Sequence, residues 1–95
     1  MLDAKKIDRS VAAVARKTLG KEFVRTKSEP TIDSWGDEAL SVLIVIKPGA
    51  ADRITGDAAL DTLSGIQEKL QEQGEQRFAI VEYATEEELA EVDET

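Results

Sequence analysis

From Asp3 to Leu19, apolar or half-apolar side chains return every three to four residues, at Ile7, Val11, Val14 and Thr18. At 100° per residue these form one stripe, and Lys5, Arg9 and Arg16 fall on the opposite side. Gly20 follows the last periodic residue, where a left-handed backbone ends a helix, and Lys17 and Lys21 suit the negative end of its dipole. The pattern predicts an amphipathic helix with a basic outer face. Glu22 to Ser28 then alternates, is rich in β-branched and aromatic residues and stops before Pro30, which predicts a strand at a sheet edge. Glu29 to Glu38 contains Pro30, Asp33, Ser34, Gly36 and Asp37 and is expected to be a loop.

Ala39 to Lys47 carries Leu40, Val42, Ile44 and Ile46 on one side and Leu43 and Val45 on the other. A strand apolar on both faces belongs in the middle of a sheet. Pro48-Gly49 ends it, and Asp57 is the expected N-cap of a second long helix carrying Leu60, Leu63, Ile66 and Leu70 and ending at Gly74. Arg77 to Tyr83 is expected to be the third strand. Thr85 with Glu88 forms a capping-box pattern for a short last helix holding Leu89 and Val92, and the acidic residues 93–95 are expected to fray.

These elements predict one α+β domain over residues 1–92, a two-layer α-β-β-α-β(-α) arrangement with a three-stranded mixed sheet whose second strand, 39–47, is central. A loop of about ten residues between the first two strands suits antiparallel pairing. The helix between the second and third requires parallel pairing with a right-handed crossover. Periodicity leaves open whether the long helices cover one sheet face or both. With one face covered, Leu43, Val45, Val81 and Tyr83 are expected to form an exposed apolar patch, fit for a partner or a symmetric homodimer. With both covered, the same residues are core.

Composition narrows the chemistry. The 95 residues include 20 acidic and 12 basic side chains, a net charge of −8, and neither cysteine nor histidine. Disulfide scaffolds, zinc ribbons, iron–sulfur sites and thiol or histidine catalysis are excluded. The charge is unevenly placed: residues 1–28 hold eight basic and three acidic groups, and the remainder holds four basic and seventeen acidic. Lys5, Arg9, Arg16 and Lys17 are therefore candidate phosphate contacts, or a docking face for an acidic partner, or simply solvated. Such a dipolar chain can also orient a charged partner.

Phosphate-loop and dinucleotide glycine spacings are missing around Gly49 and Gly56, as is the Gly-x-x-Gly loop of RNA-binding KH domains. The carboxylates Asp33, Asp37 and Glu38, and Asp52, Asp57 and Asp61, lack calcium-loop spacing and read as caps and turn formers. No cofactor, metal or catalytic residue is expected. Trp35, the single tryptophan, is either an interface anchor or a lid over one end of the core. Glu86, Glu87 and Glu88 suit a helix N-terminus and add to an acidic docking surface.

The stretch GDEALSVLIVIKPG followed by ALDTLSGIQEKLQEQGEQRFAIVEY, Gly36 to Tyr83, resembles a group of small bacterial α+β proteins of unassigned activity. The likeness rests on strand, helix, Gly-Glu-x-Arg-Phe and strand, and implies a bacterial cytosolic protein with no functional residues transferred. The sequence shows no targeting segment and no membrane span. The expected function is a small acidic, non-catalytic protein–protein interaction module, such as a partner, inhibitor or antitoxin-like subunit. Its candidate interface residues are Trp35, Leu43, Val45, Val81, Tyr83 and Glu86 to Glu88. The alternative is a nucleic-acid accessory protein using the basic first helix.

Overall fold

A computed structural model describes residues 2–92; the acidic residues 93–95 lie outside the described residues. The first helix, α1 (Ala4–Leu19), is capped by Asp3, whose carboxylate accepts from the Lys6 amide at 2.8 Å, and ends at Gly20 with φ of 58°. A short 3-10 turn leads into β1 (Phe23–Ile32), which runs four residues further than its alternation suggested. Pro30 does not stop it, because β1 is an edge strand and an edge can forgo a donor. A register shift between Phe23 and Arg25 marks a bulge near its start.

The central strand is β2 (Glu38–Ile46), antiparallel to β1 and parallel to β3 (Phe78–Ala84), in the order β1-β2-β3. Between β2 and β3 lies α2 (Gly56–Glu72). Its cap is Thr55, whose hydroxyl accepts from the Ala58 amide at 3.0 Å; Asp57, the expected cap, sits inside the first turn, where its charge still favours the helix dipole. A short α3 (Glu86–Val92) follows β3, opened by the expected capping box: the Thr85 amide donates to Glu88 at 2.9 Å and the Glu88 amide to Thr85 at 3.1 Å. Among the described residues no helix is long and apolar enough to cross a membrane.

Both long helices lie on one face of the sheet. Ile7, Val11, Ala15 and Leu19 of α1 and Ile66 and Leu70 of α2 pack on Leu40, Val42, Ile44 and Ile46 as one buried cluster. The helices also touch each other closely. A Cβ on Gly65 would stand 2.8 Å from Val14 Cγ1, and the Thr18 and Thr62 hydroxyls meet at 2.6 Å.

The parallel register corrects the expected patch. Val42 pairs with Val81 and Ile44 with Tyr83, so Val81 and Tyr83 share the helix-covered face. Leu43 and Val45 point the other way, beside Glu82 and Ala84. The four residues never form one surface: alternation within each strand was legible, but the phase between strands is a register property.

Two polar clamps tie the ends of this layer. Glu75, fully buried, accepts from the Leu2 amide (2.9 Å), the Arg77 amide (3.0 Å) and the Arg77 guanidinium (2.9 Å at both Nε and Nη2), and Arg77 donates on to the Leu2 carbonyl at 3.3 Å. At the other end Arg53 holds Glu22 at 2.8 and 3.1 Å and donates to the Pro48 carbonyl at 3.2 Å. The Arg77 guanidinium beside Glu75 overcomes the cost of burial and holds its carboxyl pKa at about 2.

Glu75→Gln leaves the buried Arg77 without a counter-charge, and urea unfolding at pH 7 should show a loss of about 3 kcal/mol. Because the folded carboxyl titrates below its unfolded value, this contribution is complete above about pH 4.5 and is lost as pH falls towards 2. The stability gap between wild type and Glu75→Gln should therefore close over that window; a gap constant down to pH 2 contradicts the assignment. Gly65→Ala should lower stability by about 1–3 kcal/mol despite alanine's better helix propensity. Most of that loss should return in the Gly65→Ala, Val14→Ala double variant, read by thermal melts.

Candidate interaction surface

Among the described residues the outer edge of β3 carries no strand, and α2 runs beside it. Between them lies an apolar groove in which Leu60 is 63% exposed and Leu63 and Tyr83 are each more than one-third exposed; Phe78, 60% exposed, and Ile80 line its rim at the strand edge from the far face, which the register gives them together with Glu82. Burial raises the Tyr83 phenol above its usual pKa. The two edges of the sheet differ. β1 is guarded by a bulge, by Pro30 and by Arg25, Lys27 and Glu29. From Phe78 to Ala84, β3 has no proline and a single charge, Glu82.

One side chain already occupies part of this edge. Gln67 of α2 donates from Nε2 to the Ala79 carbonyl at 3.0 Å, and its Oε1 lies 3.5 Å from the Ala79 amide. The Ala79 main chain therefore points outward, away from β2. Amide and carbonyl directions alternate along a strand, so Val81 and Tyr83 also point outward. Among the described residues no side chain, and no main chain outside the sheet, bonds to either.

The sequence-predicted residues are dispersed. Val45 is fully buried on the far face. Arg25, Val45 and Ala84 lie in one row across the sheet, so the 2.6 Å bridge from Arg25 to Glu86 crosses above Val45. Leu43 is half-buried beside it. Glu86 is thus tied to Arg25 and Glu88 to the capping box, while Glu87 is exposed without a hydrogen bond or ion pair among the described residues. Of the predicted interface set, Val81 and Tyr83 belong to the α2–β3 groove.

Trp35 is not a lid. It is 87% exposed at the tip of the β1–β2 hairpin, where the Asp33 carboxylate accepts from the Trp35 and Asp37 amides at 2.9 Å and Gly36 adopts φ of 87°. This local network satisfies the turn from within, which leaves the indole no core to cover.

Lys5, Arg9 and Arg16 form one exposed stripe on α1, with the Arg16 guanidinium 5.6 Å from the centre of the Phe23 ring. Lys17 lies about 100° round the helix, beside Asp61, Glu68 and Glu72 in the outer α1–α2 groove. The four cations do not share one face. Among the described residues no cluster of three or more metal-ligating side chains occurs.

Leu60 and Leu63 were expected on one apolar stripe of α2 with Ile66 and Leu70, but only the latter two are buried; none of Leu60, Leu63, Phe78 and Ile80 was expected at an interface. A signal existed in α2: Leu60 stands about 120° from Ile66 at helical pitch, too far round to share its stripe. Phe78 and Ile80 alternate with the buried Ala79, so their phase was visible but not the lack of a neighbouring strand. Comparison with protein-family models, curated proteins and solved structures finds no match for this chain.

Val45→Asp places a charge in a dry site and should abolish cooperative folding or cost at least about 3 kcal/mol. Leu60→Glu should leave the circular dichroism spectrum intact and shift stability by no more than about 0.5 kcal/mol. Melts of the two variants side by side check this; a well-folded Val45→Asp protein would show that its side chain is solvent-facing.

Proposed function

We propose that this protein is a small acidic, non-catalytic interaction module acting in the bacterial cytoplasm, and that it meets its partner through the α2–β3 groove. A single observation carries the reading: large apolar side chains, Leu60 and Phe78 foremost, stand exposed beside a strand edge with free main-chain groups. Exposed apolar clusters of this kind cost solubility and are retained where a partner covers them. The surplus of acidic side chains favours a basic partner and speeds its approach. An inhibitor or antitoxin-like subunit fits this description, and so does a subunit of a homodimer. Trp35, displayed on a rigid turn, supplies a second anchor at the hairpin end.

A different reading rests on α1, whose exposed Lys5, Arg9 and Arg16 form no ion pair among the described residues. That stripe suits phosphate, and binding through it would fall steeply with salt. Three cations on one helix within a chain of net charge −8 make it the weaker reading.

The test is a tagged pull-down from native cytosol at low salt, comparing wild type with Leu60→Glu and Trp35→Ala. A stoichiometric protein retained by wild type and reduced at least ten-fold by Leu60→Glu is the expected result. A partner retained equally by both variants rejects the groove. Nucleic acid in the eluate, released by salt and by Arg9→Glu, would put α1 in its place.

A further inference from the structure

We infer that the free edge of β3 is a strand-addition site for an extended partner segment of apolar–basic–apolar pattern, which pairs its main chain with Val81 and Tyr83. The inference rests on the groove reading above and specifies what enters the groove and how.

The main chain sets the length and register. Val81 and Tyr83 offer two amides and two carbonyls on the outer edge, while Gln67 has closed the same edge at Ala79 with an amide that imitates a neighbouring strand. An added strand therefore finds two pairing residues, bounded on one side by Gln67 and on the other by the turn at Thr85 into α3. Hydrogen-bonded edges of this type give affinity, and alternate side-chain positions give specificity.

The two sheet faces set the side chains. Residues of the segment opposite Val81 and Tyr83 lie on the helix-covered face, against Leu60 and Leu63, and must be apolar. The residue between them lies on the far face, opposite Glu82. Glu82 is exposed, makes no ion pair among the described residues, and neighbours Leu43 across the sheet. A lysine or arginine at that place answers its charge.

The same geometry disfavours a second copy of this chain. A two-fold antiparallel pairing that uses both Val81 and Tyr83 and leaves Gln67 on Ala79 sets Val81 against Tyr83 of the copy. Glu82 then faces Glu82 of the copy at about 4.5–5.5 Å between Cα atoms, with like charges directly opposed. The edge is self-complementary in its apolar positions and self-repelling in its one charge.

The probes are three acetylated, amidated pentapeptides: Thr-Val-Lys-Val-Thr, Thr-Val-Glu-Val-Thr, and the first peptide N-methylated at both valines. Each is titrated into the ¹⁵N-labelled full chain at neutral pH and low salt. The lysine peptide should give saturable shifts centred on the Val81 and Tyr83 amides. The glutamate peptide should bind at least ten-fold more weakly, and N-methylation should abolish the shifts. In the Glu82→Lys variant, whose altered side chain is exposed, the preference between lysine and glutamate peptides should reverse.

Equal binding of the N-methylated peptide, no saturable shift with the lysine peptide, or an unchanged preference in Glu82→Lys overturns the inference. Shifts of the same amides that depend on protein concentration alone would assign the edge to a second copy and overturn it as well. The two proposals fail separately. A partner lost on Leu60→Glu without peptide pairing keeps the groove and removes strand addition; peptide pairing with a partner indifferent to Leu60→Glu does the reverse.

Discussion

Parallel pairing of β2 with β3 is the constraint on which the arrangement turns. The β1–β2 hairpin occupies one side of β2, so β3 takes the other, and the chain between must cross over through a helix. Right-handed crossovers dominate because a right-twisted strand feeding a right-handed helix packs back on the sheet only that way. The side of β2 taken by β3 therefore decides which face α2 covers. Once α2 is there, Gly65 lets Val14 approach closely enough for α1 to share that face. Among the described residues the far face then receives α3 alone, held by Arg25 and Glu86 across the row of Val45.

A layer built on one face has two exposed ends, and each is closed by a buffered charge rather than by apolar packing. Glu75 and Arg77 grip both main-chain groups of Leu2, which fixes the chain start against the loop between α2 and β3. Glu22 and Arg53 join the α1–β1 turn to the loop after β2. In both, the carboxylate is the more buried partner; Glu75 also accepts from two main-chain amides, a condition under which an ion pair can sit beside a core. In a small domain with little apolar surface to spare, such clamps add to the packing of Leu2, Phe23 and Ile54 at the margin of the core.

The exposed apolar side chains concentrate on the β3 side of α2, and that placement follows from the same crossover. A helix covering a three-stranded sheet beside another helix must overhang one edge. The turn from Gly74 brings Phe78 and Ile80 to that edge, while Ala59, Leu60 and Leu63 overhang it. The opposite edge is disrupted by a bulge, a proline and charges, devices that keep strands from associating. One edge is protected and the other presented.

Much of this was legible from periodicity. The two long helices, the central strand, the parallel crossover and the final capping box follow from residue spacing and local cap chemistry, which act within a few residues of the chain. The hairpin was misjudged in length because Pro30 reads as a stop, although its position at the outer edge makes it tolerable. Thr55 rather than Asp57 caps α2 because either residue satisfies the local rule, and only the path of the loop chooses between them. The register between β2 and β3 was not legible. Whether Val81 faces with Val42 or with Leu43 is one residue of register, and no local energy records it. The fate of Val45, Trp35 and Glu86, and the gathering of Leu60, Phe78 and Ile80 into a groove, depend on that register and on which face the helices take. The sequence by itself thus determined the elements and their pairing sense, through interactions that repeat along the chain. Tertiary structure alone decided the surfaces, because a surface is made of residues distant in sequence whose juxtaposition only packing can set.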